Sequence, residues 1–327
     1  MKNFQCSCGQ TLFFENTRCL NCGNDVGFDP LQFTMGPVEG KTVCKNRTDF
    51  DVCNWIVTDP GSSFCVSCSL NHTIPNLLVP DRRRWWKNLE NAKRRLIYSL
   101  ISLGLPIISK QEDEFGLGFE FIEDKRTNPR VYEDHVNIGH HNGMITINIA
   151  EADEVNREIS RQYTGELYRT LLGHFRHESG HYYYHTLVVR GGRLEEFRNL
   201  YGDESQDYAA ALEHYYAVKA TAVKDPDYIS HYAQSHPLED WAEVWSHYLH
   251  MVDTLDTASV YGMQQGSTHW DDINELTSKW SELSVMLNAL NRSMGLEDAY
   301  PFTLSELTLK KLRFVHSLIF GSSRISG

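Results

Sequence analysis

Residues 174–185 read HFRHESGHYYYH, a stretch that holds four histidines and one glutamate. Apolar residues before and within it follow the three-to-four spacing of an amphipathic helix, at Leu167, Leu171, Leu172 and Phe175. We therefore predict one helix from about Ile159 to Val189. His177 and His181 are four residues apart, so on this helix their imidazoles project from one face, within reach of a single metal ion.

The two histidines complete an HExxH motif, whose glutamate is Glu178. Glu178 lies about 100° further round the helix than His177, so its carboxylate can flank a metal without binding it. There it can take a proton from a water molecule that the metal polarises. The motif predicts metal-assisted hydrolysis with Glu178 as general base. A catalytic zinc uses three protein ligands and one water, so a further ligand must come from elsewhere.

A second predicted helix supplies candidates for that ligand. It begins at His236 with HPLEDWAEVWSHYLHMVDTL, where a proline and acidic residues in the first turn are typical of a helix start. Glu239 and Glu243 are four residues apart on one face. One can bind the metal while the other accepts a hydrogen bond from a ligand imidazole. The residues alone leave open which of them is the ligand, and Asp240 is a further candidate.

All eight cysteines lie between positions 6 and 68, which indicates a separate N-terminal module ending near residue 80. The first group has CxCG followed by CxxCG, two turns that each offer half of a tetrahedral zinc site. The second group ends in CxxC but is spaced less regularly. We predict two structural zinc sites, one formed by Cys6, Cys8, Cys19 and Cys22 and the other by Cys44, Cys53, Cys65 and Cys68.

A disulfide framework is the alternative explanation of an even cysteine count, and it requires an oxidising compartment. The first residues, MKNFQCSCGQ, lack the order of a secretion signal, and the 327-residue chain has no run of eighteen apolar residues. We therefore expect a cytoplasmic protein with reduced thiols and no membrane association. The formal net charge of -12 argues against a general nucleic-acid binder, which needs excess cations to neutralise phosphates.

Two further segments have local patterns with more than one interpretation. Between Asp81 and Arg95, seven lysines and arginines surround Trp85 and Trp86, which favours an amphipathic helix with solvated cations and packed tryptophans. Residues 143–150, GMITINIA, alternate as in a half-buried strand. This strand is either an exposed edge that can pair with an extended peptide or an interior strand whose edges are both paired.

The whole chain resembles the bacterial family of putative zinc-binding metallopeptidases that carry an N-terminal zinc ribbon. The resemblance rests on four motifs in order: the cysteine module, an ITINIAEA strand at 145–152, the HExxH helix, and an HPxEDxAExW segment at 236–245. It implies hydrolysis of a peptide or isopeptide bond. It also implies one catalytic and two structural zinc ions.

The second helix is similar to the glutamate-bearing helix of gluzincin peptidases, in which a tyrosine and six further residues precede E-x-x-A-E. Here Tyr232 precedes Glu239 by seven positions. By that resemblance Glu239 is the third zinc ligand, Glu243 is the carboxylate that supports a ligand imidazole, and Tyr232 stabilises the oxyanion. Tyr215 and Tyr216 are alternative candidates for the role of Tyr232.

The predicted architecture is α+β, with a double zinc-ribbon module over residues 1–80 and a mostly helical, gluzincin-like zincin domain with a small sheet over 81–327. Leucines and Trp280 beyond about residue 265 predict further helices. The zinc ribbons are expected to recruit a peptide or protein substrate or a partner protein. Two alternatives are a non-catalytic module that binds protein or nucleic acid beside a retired zincin domain, and a zinc amidase that acts on a non-protein amide.

Overall fold

The structure is a computed structural model in which the chain divides into two compact units, Lys2–Phe175 and Arg176–Gly327. The residues that it describes are 2–125, 127–134, 136, 138–219, 223–264 and 270–322. Within that part of the chain, every helix is too short or too polar to cross a membrane. The boundary expected near residue 80 stays a prediction.

Two small antiparallel ribbons begin the first unit. Strands β1 (Phe4–Gln5) and β2 (Thr11–Leu12) form one of them, and β3 (Val26–Asp29) and β4 (Thr34–Pro37) form the other. A short helix, α1 (Lys45–Thr48), follows. Strands this short bury little surface, so the ribbons are held by an aromatic cluster and by the cysteine groups. The cluster consists of Phe4, Phe14, Phe28, Trp55 and Tyr98.

The two predicted groups of four cysteines are both present, and within each group the sulfur atoms lie within 4.8 Å of one another. In the first group Cys8 and Cys22 are exposed, whereas all four cysteines of the second group are buried. Gly9 and Gly23 follow the two turns of the first group with φ of +86° and +76°, a conformation that favours glycine. The group with the less regular spacing is therefore the more buried of the two.

Helix α2 (Arg82–Ser102) carries the tryptophans and the run of cations. Trp86 is buried as expected, but the expectation that all the cations are solvated is wrong, because Arg82, Lys93 and Arg94 are buried. Lys93 Nζ lies 3.0 Å from Glu90 Oε2, and Arg94 Nη1 donates to the Val52 carbonyl at 2.6 Å. Lys93 and Arg94 face the N-terminal module, where they donate to Asn71 and Val52, whereas Arg82 donates to Glu123 and Thr127.

A four-stranded mixed sheet completes the core of the first unit. Its order is β5 (Asn71–Thr73), β6 (Gly118–Ile122), β8 (Met144–Asn148) and β7 (Gly139–His141). Strand β8 pairs in parallel with β6 and antiparallel with β7. Of the two interpretations of residues 143–150, the interior strand is therefore confirmed, since both edges of β8 are occupied.

The single helix predicted over Ile159–Val189 is wrong, because the chain forms two helices there. Helix α3 (Glu154–Thr164) ends at Gly165, whose φ of +66° stops the helix, and α4 begins only at Leu171 and ends at Tyr183. A π-helical segment, Tyr184–Val189, follows. Periodic apolar residues continue across the break, so their spacing does not reveal it.

The second unit is helical among its described residues. Helix α7 (Pro237–Val260) is its centre, and it starts where predicted, with the His236 side chain accepting from the Leu238 amide. Helices α5 (Leu194–Tyr201), α6 (Tyr208–Val218), α8 (Ile273–Ser293) and α9 (Glu306–Ser322) accompany it. The predicted α+β class and the helices expected beyond residue 265 are confirmed.

Candidate metal centre

The C-terminal part of α4 crosses α7 at very short range. A Cβ atom added to Gly180 would lie 2.9 Å from the Cα of Ala242, so the crossing requires glycine at this position. Two indole groups of α7 fix the crossing: Trp241 Nε1 donates to the Gly180 carbonyl at 2.7 Å and Trp245 Nε1 to Ser179 Oγ at 3.1 Å. The histidine face of α4 therefore meets the acidic face of α7.

His177, His181 and Glu239 come together at this crossing. One potential ligand atom from each lies within 4.8 Å of the others. His177 Nε2 is 2.9 Å from Glu239 Oε2, and His181 Nε2 is 3.5 Å from Glu239 Oε1. Two imidazoles and one carboxylate are the donors that zinc uses in hydrolytic sites with an open fourth position. The residues present therefore fit a zinc ion.

The other two acids of the α7 segment have different partners. His177 Nδ1 donates to Glu243 Oε1 at 2.8 Å, so Glu243 reaches the imidazole nitrogen that points away from Glu239. Asp240 lies on another face of the helix and accepts from Lys311 Nζ at 2.6 Å, where both side chains are buried. This arrangement supports Glu239 as the ligand and Glu243 as the carboxylate that orients His177. Asp240 is bonded to Lys311 instead and does not face the cluster.

Burial and these contacts shift the pKa values of the side chains in the centre. Burial opposes a charge on His177, but hydrogen bonds to Glu239 and Glu243 outweigh it and raise the pKa of His177 well above its ordinary value. Burial likewise opposes the charge of Glu239, whose pKa is nevertheless lowered by His181 and His177. A metal that binds at Nε2 of His177 must therefore displace a proton that the two carboxylates stabilise, a cost that the attraction of the metal to Glu239 has to exceed.

Glu178, the glutamate of the HExxH motif, is only 7 % exposed. Among the described residues, its carboxylate has no hydrogen-bond donor, and His177 is the neighbouring cation that favours its ionised form. Burial, the largest influence, raises the pKa of Glu178 to about 7. A carboxylate with such a pKa accepts and returns protons efficiently near neutral pH.

The predicted tyrosines lie around the centre in different ways. The ring of Tyr232 is 6.0 Å from that of His177, whereas the Tyr215 hydroxyl is 3.1 Å from His231 Nδ1 and Tyr216 is largely exposed. Tyr208 is not predicted from the sequence, and its hydroxyl donates to Glu239 Oε1 at 2.7 Å. Its one sequence signal is Asp207, the N-cap residue that starts α6 at Tyr208. No spacing rule connects this tyrosine to Glu239.

Comparison with known proteins gives a family for each part of the sequence. A family model described as putative zinc-binding metallo-peptidase matches residues 82–318, and a zinc-ribbon domain model matches residues 3–43 and 38–79. Uncharacterized proteins of Mycobacterium bovis and of two Mycobacterium tuberculosis strains are 39% identical over 333 residues, which cover 98% of this chain and 95% of theirs. No solved structure matches the chain.

Proposed function

The chain belongs to the putative zinc-binding metallopeptidase family, and on that premise we propose that it hydrolyses a peptide or isopeptide bond at the centre between α4 and α7. The observation that carries the proposal is the convergence of His177, His181 and Glu239 beside the buried carboxylate of Glu178. The three candidate ligands by themselves could equally hold a metal ion with a purely structural role. A buried carboxylate that can exchange a proton adds what hydrolysis needs.

His177, His181 and Glu239 would hold the zinc, with Glu243 keeping the His177 ring in the tautomer that presents Nε2. When bound there, zinc polarises a carbonyl and lowers the pKa of water toward neutrality. Glu243 contributes indirectly, because a fixed ring loses less freedom when it binds a metal. The hydrogen bond of 2.8 Å to His177 Nδ1 supports this role.

Glu178 would act as the general base and then as the general acid. It takes a proton from the attacking water, and the same carboxyl group delivers that proton to the leaving nitrogen of the amide. Its burial supports both steps, because a desolvated carboxylate is more basic than a solvated one. Tyr232 is the proposed donor to the oxyanion that forms on the substrate carbonyl, a role supported by its place beside His177.

The two cysteine groups would hold structural zinc, and the module that they stabilise would recruit the protein that is cleaved. The formal net charge of -12 favours a protein partner over nucleic acid, and the exposed side chains of Leu20 and Leu31 are the proposed contacts on this module. Replacing both leucines by serine should slow cleavage of a protein substrate but spare a short peptide. If the double variant cleaves the protein substrate as fast as the wild type does, the recruitment proposal is contradicted.

Metal content and activity of three variants test the catalytic proposal. We expect about three zinc ions in the wild type and in Glu178→Gln, and about two in His181→Ala, since only the latter removes a ligand. Cleavage of a peptide library should be lost in both variants. His214→Ala, which changes an exposed histidine of α6, is the control and should keep both properties.

Three outcomes would contradict the proposal in different ways. Three zinc ions retained in His181→Ala would remove that side chain from the ligand set. Full activity of Glu178→Gln would exclude it as the base. Hydrolysis of non-peptide amides without any peptide cleavage would favour an amidase, and absence of all hydrolysis from zinc-loaded protein would favour a binding module.

A further inference from the structure

Helix α6 contributes little to the apolar core of the second unit. Among the described residues of α6 only Tyr215 is buried, although the helix is rich in alanine and tyrosine. Two hydroxyl groups connect α6 to the segments that carry the metal centre. Tyr208 bonds to Glu239 on α7, and Tyr215 contacts His231, the residue before Tyr232. Helix α6 is therefore held in place mainly by polar contacts near the metal centre and only to a small extent by burial of apolar side chains.

The contact between Tyr208 and Glu239 involves the carboxylate that would bind the metal. Glu239 is 1 % exposed, so its oxygens depend on protein partners for their lone pairs. Oε2 lies 2.9 Å from His177 Nε2, and Oε1 accepts from the Tyr208 hydroxyl at 2.7 Å. Tyr208 thus restricts rotation of the carboxylate, which determines the direction of its metal-binding lone pairs.

Tyr208 also connects the centre to solvent. Its side chain belongs to a residue that is 42 % exposed, yet its hydroxyl reaches a carboxylate that is almost fully buried. The side chain therefore extends from the surface of the second unit to Glu239.

We propose that Tyr208 is a positioning residue for Glu239 and that metal binding orders α6 through this hydroxyl. The inference rests on the proposed function only in requiring that His177, His181 and Glu239 hold a metal. If docking of α6 strengthens metal binding by some factor, the metal must strengthen docking of α6 by the same factor. The Tyr208 hydroxyl is the group that carries this coupling.

Tyr208→Phe on the full chain tests the inference, with Tyr216→Phe as the matched control. Both variants remove one hydroxyl from α6, but Glu239 accepts its hydrogen bond from Tyr208, whereas Tyr216 is 58 % exposed. The first measurement is zinc affinity of the histidine and glutamate site, obtained by competition with chelators after the cysteine sites are loaded. We expect affinity to fall about 10- to 100-fold in Tyr208→Phe and to stay unchanged in Tyr216→Phe.

The second measurement is amide hydrogen exchange of α6 with and without zinc in the histidine and glutamate site. Zinc should slow exchange across α6 in the wild type and in Tyr216→Phe, and should have no such effect in Tyr208→Phe. Wild-type zinc affinity in Tyr208→Phe would overturn the positioning role. If the amide exchange rates of α6 in the wild type are the same with and without zinc, the proposed coupling is overturned.

These measurements separate the inference from the peptidase proposal, because neither depends on turnover. A chain that shows both Tyr208 effects but cleaves no peptide would support the inference and contradict the proposed function. A chain that cleaves peptides while Tyr208→Phe keeps its zinc affinity would do the reverse. If the wild-type protein binds no zinc at the histidine and glutamate site, both the inference and the proposed function are contradicted.

Discussion

Three acids within five residues of α7 illustrate how single positions acquire different tasks. Glu239 and Glu243 share a face and meet the two nitrogens of His177, whereas Asp240 turns toward Lys311. The helical repeat predicts that the two glutamates face one way. It does not tell which of them lies nearer the metal, because that depends on the direction in which α7 crosses α4.

Glu243→Gln tests the supporting role of this carboxylate. An amide at this position lacks the charge that attracts the Nδ1 proton of His177, so the ring should hold its orientation less firmly. We expect the zinc affinity of the histidine and glutamate site to fall about 10- to 100-fold, measured by chelator competition. Glu213→Gln, at an exposed position of α6, should leave the affinity as it is. Complete loss of this zinc in Glu243→Gln would instead identify Glu243 as a ligand.

At the scale of elements, the crossing of α4 and α7 decides whether the centre exists. Glycine within a helix costs about 1 kcal/mol relative to alanine, so Gly180 is unfavourable for α4 taken alone. The short distance to the Ala242 backbone explains its presence. A sequence motif written HExxH treats position 180 as free, and therefore cannot reveal this constraint.

Gly180→Ala should thus destabilise the protein although alanine favours the helix. The added methyl group meets backbone of α7, so the helices must separate and carry Glu239 away from the histidines. We expect a lower melting temperature and weaker zinc binding at this site. Gly173→Ala is the control on the same helix, since its methyl group would meet the Thr170 side chain at 3.1 Å rather than backbone. Similar behaviour of the two variants would show that the crossing tolerates the methyl group.

Elements were predictable where local patterns determine them and not where tertiary contacts do. The start of α7 follows from His236 and Pro237, a local signal that the structure confirms. The break at Gly165 is also local, but one glycine inside a periodic pattern does not by itself show whether the helix ends or continues. The interior place of β8 depends on pairing with β6 and β7, which its own residues do not specify.

Considered over the whole molecule, the two cysteine groups differ in their access to solvent. The first group exposes Cys8 and Cys22, while the second is buried and approaches α2 through a contact of 3.8 Å between Cys68 Sγ and Glu90. The sequence spacing predicts which cysteines form each group, because paired cysteines in short turns are a local feature. It does not predict that the second group is more buried, since this burial arises where α2 packs on the module.

The two structural zinc ions should therefore leave the protein at different rates. A strong chelator added to native protein should remove about one zinc quickly from the first group, and a second only as the fold opens. Release followed with a zinc-sensitive dye, alongside the circular dichroism signal, measures both processes. Cys22→Ser should abolish the fast phase without changing the slow one. A single phase for both sites would contradict this difference in access.

The enclosure of Cys44, Cys53, Cys65 and Cys68 also has a consequence for biogenesis. An ion can reach these thiols only while the surrounding polypeptide is open, as it is during synthesis on the ribosome. The yield of native chains should therefore follow the free zinc concentration in the cell at that moment. Metal supplied later would reach the centre between α4 and α7 directly but would enter this buried group only as the fold opens.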